Sequence, residues 1–183
     1  MNPIYIPFVI VIVIVLWLVY AYNRLVTLRN RAKEASSDID VQSKRRYDLI
    51  PNLVESVKGY MTHEREVFEK VTEARTRAKG AQSGKEKIAA ENALSGTLKT
   101  LFAVAENYPQ LKANENFLKL QDELTDTEDK LQAARRFYNT NVRDLNTAIE
   151  TFPTNLIVNM FGFKALEFFD AEPAADQPVQ VKF

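Results

Sequence analysis

From Ile4 to Tyr22 the chain reads IYIPFVIVIVIVLWLVYAY without a single charged side chain. As a helix this stretch rises roughly 28 Å, close to the hydrocarbon thickness of a bilayer. Tyr5 stands at one end, and Trp17, Tyr20 and Tyr22 towards the other, where amphipathic rings favour the membrane–water interface. A cleaved signal peptide reads differently: here no positive charge precedes the apolar run and no small-residue cleavage site follows it. The pattern therefore predicts a retained transmembrane anchor over residues 1–23. The leading MNP carries no Lys or Arg, whereas Arg24, Arg29, Arg31 and Lys33 follow the run. The positive-inside tendency then puts the N-terminus outside and the rest of the chain in the cytoplasm.

Beyond the anchor the hydrophobic spacing is helical. Leu25, Leu28, Ala32, Ala35, Ile39, Gln42, Arg46, Leu49, Leu53, Val57, Tyr60, Glu64, Val67, Val71, Ala74 and Ala78 follow steps of three and four. That is the seam of a left-handed helix pair. The alternation breaks once, around Pro51, so the spacing predicts one long helix over 24–79 kinked there, or two helices nearly in line. Being continuous with the membrane helix, this segment would act as a stiff stalk. A polar link, GAQSG at 80–84, turns the chain into a helix over about 85–107, which Tyr108-Pro109 ends. The last long helix has its seam at Phe117, Leu120, Leu124, Thr127, Leu131, Ala134, Tyr138, Asn141, Leu145, Ala148 and Phe152, about five heptads, closed by Pro153. Such stripes must pack together, which predicts an all-α fold: an elongated antiparallel, coiled-coil-like bundle of three to four long helices over 24–152. Polar seam residues (Gln42, Arg46, Glu64, Thr127, Asn141) fix register and are expected to be satisfied inside the bundle.

Residues 153–169, PTNLIVNMFGFKALEFF, are too apolar for a linker, with Phe161, Phe163, Phe168 and Phe169 as candidate contacts. This tail is expected to cap the bundle or dock on a neighbouring subunit, with a place on the membrane surface as a further option. Residues 170–183 read as flexible, although VQVKF at the end alternates like a strand.

No catalytic, cofactor-binding or metal site is legible. Cysteine is absent, which removes disulfides, thiolate nucleophiles and thiolate metal ligands. His63 is the one histidine, so neither HExxH nor the paired ExxH of di-iron bundles exists. The carboxylates at 122–129 are most simply a solvated face. Phosphate-binding loops and nucleophile elbows are missing. Lys+Arg and Asp+Glu both number 24, so no net field argues for nucleic acid, and the short basic run at 44–46, lying between Asp40 and Asp48, is only a weak signal for it.

KRRYDLIPNLVESVKGYMTHEREVFEKVTEAR, from Lys44 to Arg75, resembles the signature of the LemA family. So does YPQLKANENFLKLQDELTDTEDKLQAARRFYNTNVRDLNTAIETFPTNLIVNMFGF, from Tyr108 to Phe163. The match extends over nearly the whole chain apart from the 80–84 link and the last dozen or so residues. GFKALEFF at 162–169 departs from the pattern, since family members often show a second proline and a tyrosine there. The resemblance implies a bacterial inner-membrane protein with a helical bundle and an N-terminus outside. It carries over no catalytic residue. Polar residues at or beside the two seams motivate the hypothesis of a buried network joining Arg46, Tyr47 and Asp48 to Glu128, Arg135, Tyr138 and Asn139.

Three functions follow as alternatives. The first is a membrane-anchored, non-catalytic scaffold that assembles with itself through its seams and tail and organises membrane or envelope components. The second is an adaptor holding a protein partner, for instance a protease, at the membrane. The third is an enzyme with a carboxylate metal site in the bundle.

Overall fold

A computed structural model of the protein describes residues 5–61, 63–82 and 84–169. The expected flexible tail over 170–183, with its strand-like end, lies outside the described residues. All regular structure described is helical: α1 (Ile6–Lys58), α2 (Arg65–Gly80), α3 (Gly84–Ala105), α4 (Pro109–Lys112), α5 (Glu115–Glu150) and α6 (Asn155–Phe161). The chain divides into two compact units. One takes in the chain up to Ser37 with Ala134–Phe168, and the other takes in Asp38–Ala133.

Helix α1 starts inside the uncharged run and continues through it. Pro7 falls in the first turn, where a missing N–H leaves no bond unmade. Residues 5–16 are exposed on every face, and the helix is long and apolar enough to cross a membrane. No other described helix meets that test.

The reading of 24–79 as one kinked helix, or two in line, is corrected in the second unit. Pro51 lies within α1, and the helix runs past it to Lys58. Proline removes the N–H that would bond the carbonyl four residues back, here that of Tyr47. The Nε–H of Arg75 on α2 donates to that carbonyl at 2.7 Å and takes the missing donor's place. The chain breaks instead at Gly59, where the N–H groups of Tyr60 and Met61 both return to the Val57 carbonyl at 3.0 Å. Glycine just past the last helical residue is a common stop, and the fully buried Met61 pins the turn. Helix α2 then folds back along α1, placing Arg75 and Ala78 beside Tyr47.

Helices α2 and α3 pack on each other. With α4 and the first half of α5 they enclose Leu53, Val57, Val71, Leu94, Leu101, Leu111 and Leu124. Pro109 opens α4, where proline's fixed φ suits a helix start. Asn114 caps α5 by accepting the Phe117 N–H on its side-chain oxygen at 3.0 Å. Tyr108 donates to Glu64 at 3.2 Å and Asn114 to the Tyr60 hydroxyl at 2.9 Å, fastening the 59–64 turn to this corner. Burial and the bond to Glu64 raise the Tyr108 phenol above its ordinary range.

The first unit has its own core: Ala21 and Leu25 of α1, Leu145 of α5, and Ile157, Val158 and Phe163 from the tail. Gly162 ends α6 at φ 68°, a left-handed conformation that a side chain resists, and the Phe163 N–H bonds the Val158 carbonyl at 3.1 Å. Beyond it the tail lies along α5. Asn146 makes two reciprocal bonds with the Leu166 backbone, each 2.9 Å, and the Tyr138 hydroxyl donates to the Glu167 carbonyl at 3.1 Å. The α5 seam is buried or half-buried from Phe117 to Ala148, whereas Phe152 is exposed. Buried Thr127 and Asn141 are satisfied on their own helix by the carbonyls of Glu123 and Phe137.

Candidate functional site

The most concentrated chemistry lies inside the second unit, around Arg46. Its place in the α1 seam forces a guanidinium into the bundle, and it is 0% exposed. An ionised group buried this way must be paired and hydrogen-bonded. Helix α3 meets it with Glu91, also 0% exposed, and Ser95, one turn apart on one face. Helix α5 adds Glu128. Arg46 forms an ion pair with Glu91 through Nη2, and through Nη1 it donates to Ser95 Oγ at 2.8 Å and to Glu128. Ser95 in turn donates to the other oxygen of Glu128 at 3.0 Å.

Tyr47 extends the network. Its hydroxyl donates to Glu91 and lies 3.3 Å from the Ala78 carbonyl, so α2 is tied in as well. Burial raises the Tyr47 phenol above its ordinary range, and the positive charge of Arg46 opposes that shift in part. One guanidinium thus faces two carboxylates, and the hydroxyls of Tyr47 and Ser95 supply the extra donors.

Of the residues expected to form a polar network, the structure brings together Arg46, Tyr47 and Glu128. Asp48 points outward and is exposed, one residue and about 100° around the helix from Tyr47. Arg135, Tyr138 and Asn139 belong to the first unit, where Tyr138 holds the tail. Glu91 and Ser95 are absent from the sequence-based expectation. Their signal is the four-residue spacing of two polar groups between Ile88, Leu94 and Leu98. In the tail, Phe163 is buried and Phe161 packs on Tyr22, while Phe168 is exposed and Phe169 half-buried.

Chemically the arrangement is a clamp. Glu91 has no exposure, and Glu128 reaches only a cleft of about 240 Å³ that it shares with Ser95, Lys99, Phe102 and Leu124. His63 is exposed in the 59–64 turn. No group of three or more His, Asp or Glu among the described residues is placed to hold a metal ion.

Among known proteins, the model of the LemA family matches residues 35–183. Magnetosome protein MamQ of Magnetospirillum gryphiswaldense is 25% identical over 188 residues, covering 88% of this chain and 69% of that protein. Magnetosome protein MamQ 2 of Paramagnetospirillum magneticum is 25% identical over 195 residues, covering 92% and 72%. Protein LemA of Metamycoplasma hominis is 29% identical over 153 residues, covering 81% and 68%.

Proposed function

The chain belongs to the LemA family, and from that premise we propose that it is a membrane-anchored, non-catalytic helical scaffold whose copies assemble to organise membrane components. One observation carries this reading. Apart from Tyr60 and Phe152 the heptad seams, and with them the buried charges, are closed within the bundle, while residues 6–16 of α1 present apolar side chains on every face. Assembly through the seams would require opening the core, which leaves the membrane-spanning stretch and the exposed edge of the tail, and we take the membrane-spanning stretch as the surface that joins copies. Helix association inside lipid rests on close side-chain packing rather than on escape from water. The basic flank at Arg24, Arg29, Arg31 and Lys33 supports an N-terminus outside and a bundle on the cytoplasmic side of the bacterial inner membrane. Two relatives are named as magnetosome proteins.

The test is the mass of the full-length protein in mild detergent, beside a chain lacking residues 1–22. A discrete oligomer that dissociates on truncation is the expected result. A monomer in both forms at micromolar concentration refutes self-assembly and favours an adaptor that holds a protein partner at the membrane.

A further inference from the structure

The uncharged stretch of α1 runs from Ile6 to Asn23, and Arg24 is its first charge. From Ile6 to Arg24 the helix rises about 27 Å, so the edge of the hydrocarbon falls within a turn of Arg24. The tail docks at this level. Ile157, Val158 and Phe163 share one apolar core with Ala21, Leu25 and Leu145, and Tyr22 meets the rings of Phe161 and Phe163 at 4.8 and 5.9 Å. The Arg29 guanidinium lies 5.3 Å from the Phe163 centroid.

Helix α6 buries only one edge there. It has no charged residue, and its other edge leaves Leu156 65% and Met160 76% exposed, with Phe152 just before it 73% exposed. Three large apolar side chains left facing water in so short a segment forgo the gain of burial. On the same part of α1, a cleft of about 760 Å³ is lined by Tyr20, Asn23, Arg24, Arg31 and Arg143. Its one carboxylate, Asp144, is paired with Arg143 at 3.2 Å. From Arg24 to Arg31 the helix rises about 10 Å, so apolar side chains and arginines follow one another along this part of α1, as acyl chains and phosphates do across a leaflet boundary.

We propose that the segment Phe152–Phe161 lies in the surface of the bilayer that α1 spans. Its exposed edge sits among the acyl chains of the bundle-side leaflet, and Arg24, Arg31 and Arg143 face the lipid phosphates. The tail is then a second, interfacial footing beside the anchor, and it fixes the rotation of α1 in the membrane. This inference rests on the reading of α1 as a membrane span.

The absence of cysteine allows a direct test on the full chain. Met160→Cys and, as an aqueous control, Glu55→Cys are each labelled with an environment-sensitive fluorophore. Each protein is placed as a single copy in nanodiscs containing anionic lipid, with nitroxides high on the acyl chains. The sole tryptophan, Trp17, reports the anchor independently in the same discs. The expected result is quenching of the Met160 label by the lipid nitroxides several-fold stronger than that of the Glu55 label, with protection from iodide. Quenching of Trp17 together with a Met160 label open to iodide overturns the proposal and leaves the anchor standing. A Met160 label protected only in discs holding two copies also overturns it, and assigns the edge to a second copy. Lack of lipid quenching at both Trp17 and the label overturns the span and the footing together.

Discussion

Pro51 should destabilise α1, yet the helix passes through it, and the reason is testable as a coupling between two residues. Proline inside a helix is about 3 kcal/mol less favourable than alanine, partly because the carbonyl four residues back loses its donor. That carbonyl belongs to Tyr47, which is only 7% exposed, so water is a poor substitute. Arg75 supplies the donor at 2.7 Å. A hydrogen bond involving a charged group contributes roughly 1.5–3 kcal/mol, and the half-exposed position of Arg75 moves its share to about 1–2 kcal/mol. Arg75→Met keeps most of the stem and removes the donor, so it should cost that amount. In the Pro51→Ala background the restored backbone N–H at position 51 serves the Tyr47 carbonyl, and Arg75→Met should then cost no more than about 0.5 kcal/mol. The coupling of about 1 kcal/mol is read from a double-mutant cycle of denaturant unfolding in mild detergent, followed by far-ultraviolet circular dichroism. Equal costs of Arg75→Met in the two backgrounds, within about 0.3 kcal/mol, would refute the argument.

Two further outcomes concern the buried network. Arg46→Met leaves Glu91 without its countercharge and should cost about 3–5 kcal/mol in the same assay, whereas Arg46→Met combined with Glu91→Leu and Glu128→Leu should recover most of it. A triple variant no more stable than Arg46→Met would show that the loss is one of packing rather than charge. For Tyr47, the folded phenol titrates above the unfolded value of 10.0, so the stability it contributes is complete below that pH and is lost as pH rises through the folded value. Melting temperatures should therefore fall less between pH 9 and pH 11 in Tyr47→Phe than in the natural protein, and an equal fall would exclude Tyr47 as the titrating group.

The helices themselves are legible in the sequence because three-four alternation sustained over many turns rarely arises in strands or loops. Leu124, Leu131 and Leu145 are buried where the α5 seam places them, and Tyr108-Pro109 closes α3 as the proline rule predicts. The turn at Gly59 is hidden because Tyr60 and Glu64 continue the heptad spacing across it, and a local pattern does not register that the chain has reversed. Pro51 misleads for a related reason: the group that compensates for it, Arg75, comes from another helix. In the network, Arg46 is visible as a charge at a core position. Glu91 is not, since a glutamate in a helix that also carries Glu86 and Lys87 looks like one more solvated charge. Asn146 gives no signal, because a side chain that pairs with the backbone of a later extended segment leaves no periodic trace.

The same contrast between local pattern and distant partner bears on why the bundle keeps charges in its interior. Apolar side chains of similar volume would stabilise it at least as well, since removing two or three ions from water offsets much of their mutual attraction. What leucines would not supply is a single register. If α3 slid by one turn past α1, Leu94, Leu98 and Leu101 would still find apolar neighbours. Glu91 and Ser95 would lose Arg46, however, and a buried charge without its partner costs several kcal/mol. Because Arg46, Glu91, Glu128 and the Ala78 carbonyl come from four different helices, the clamp penalises slippage of each of them at once. The triple apolar variant separates the two properties: as a hypothesis, it should regain stability while its amides in α3 exchange hydrogen faster than those of the natural protein. If copies assemble as proposed, each must present the same surface, and a core locked by charge geometry would meet that need in a way that greasy contact alone does not.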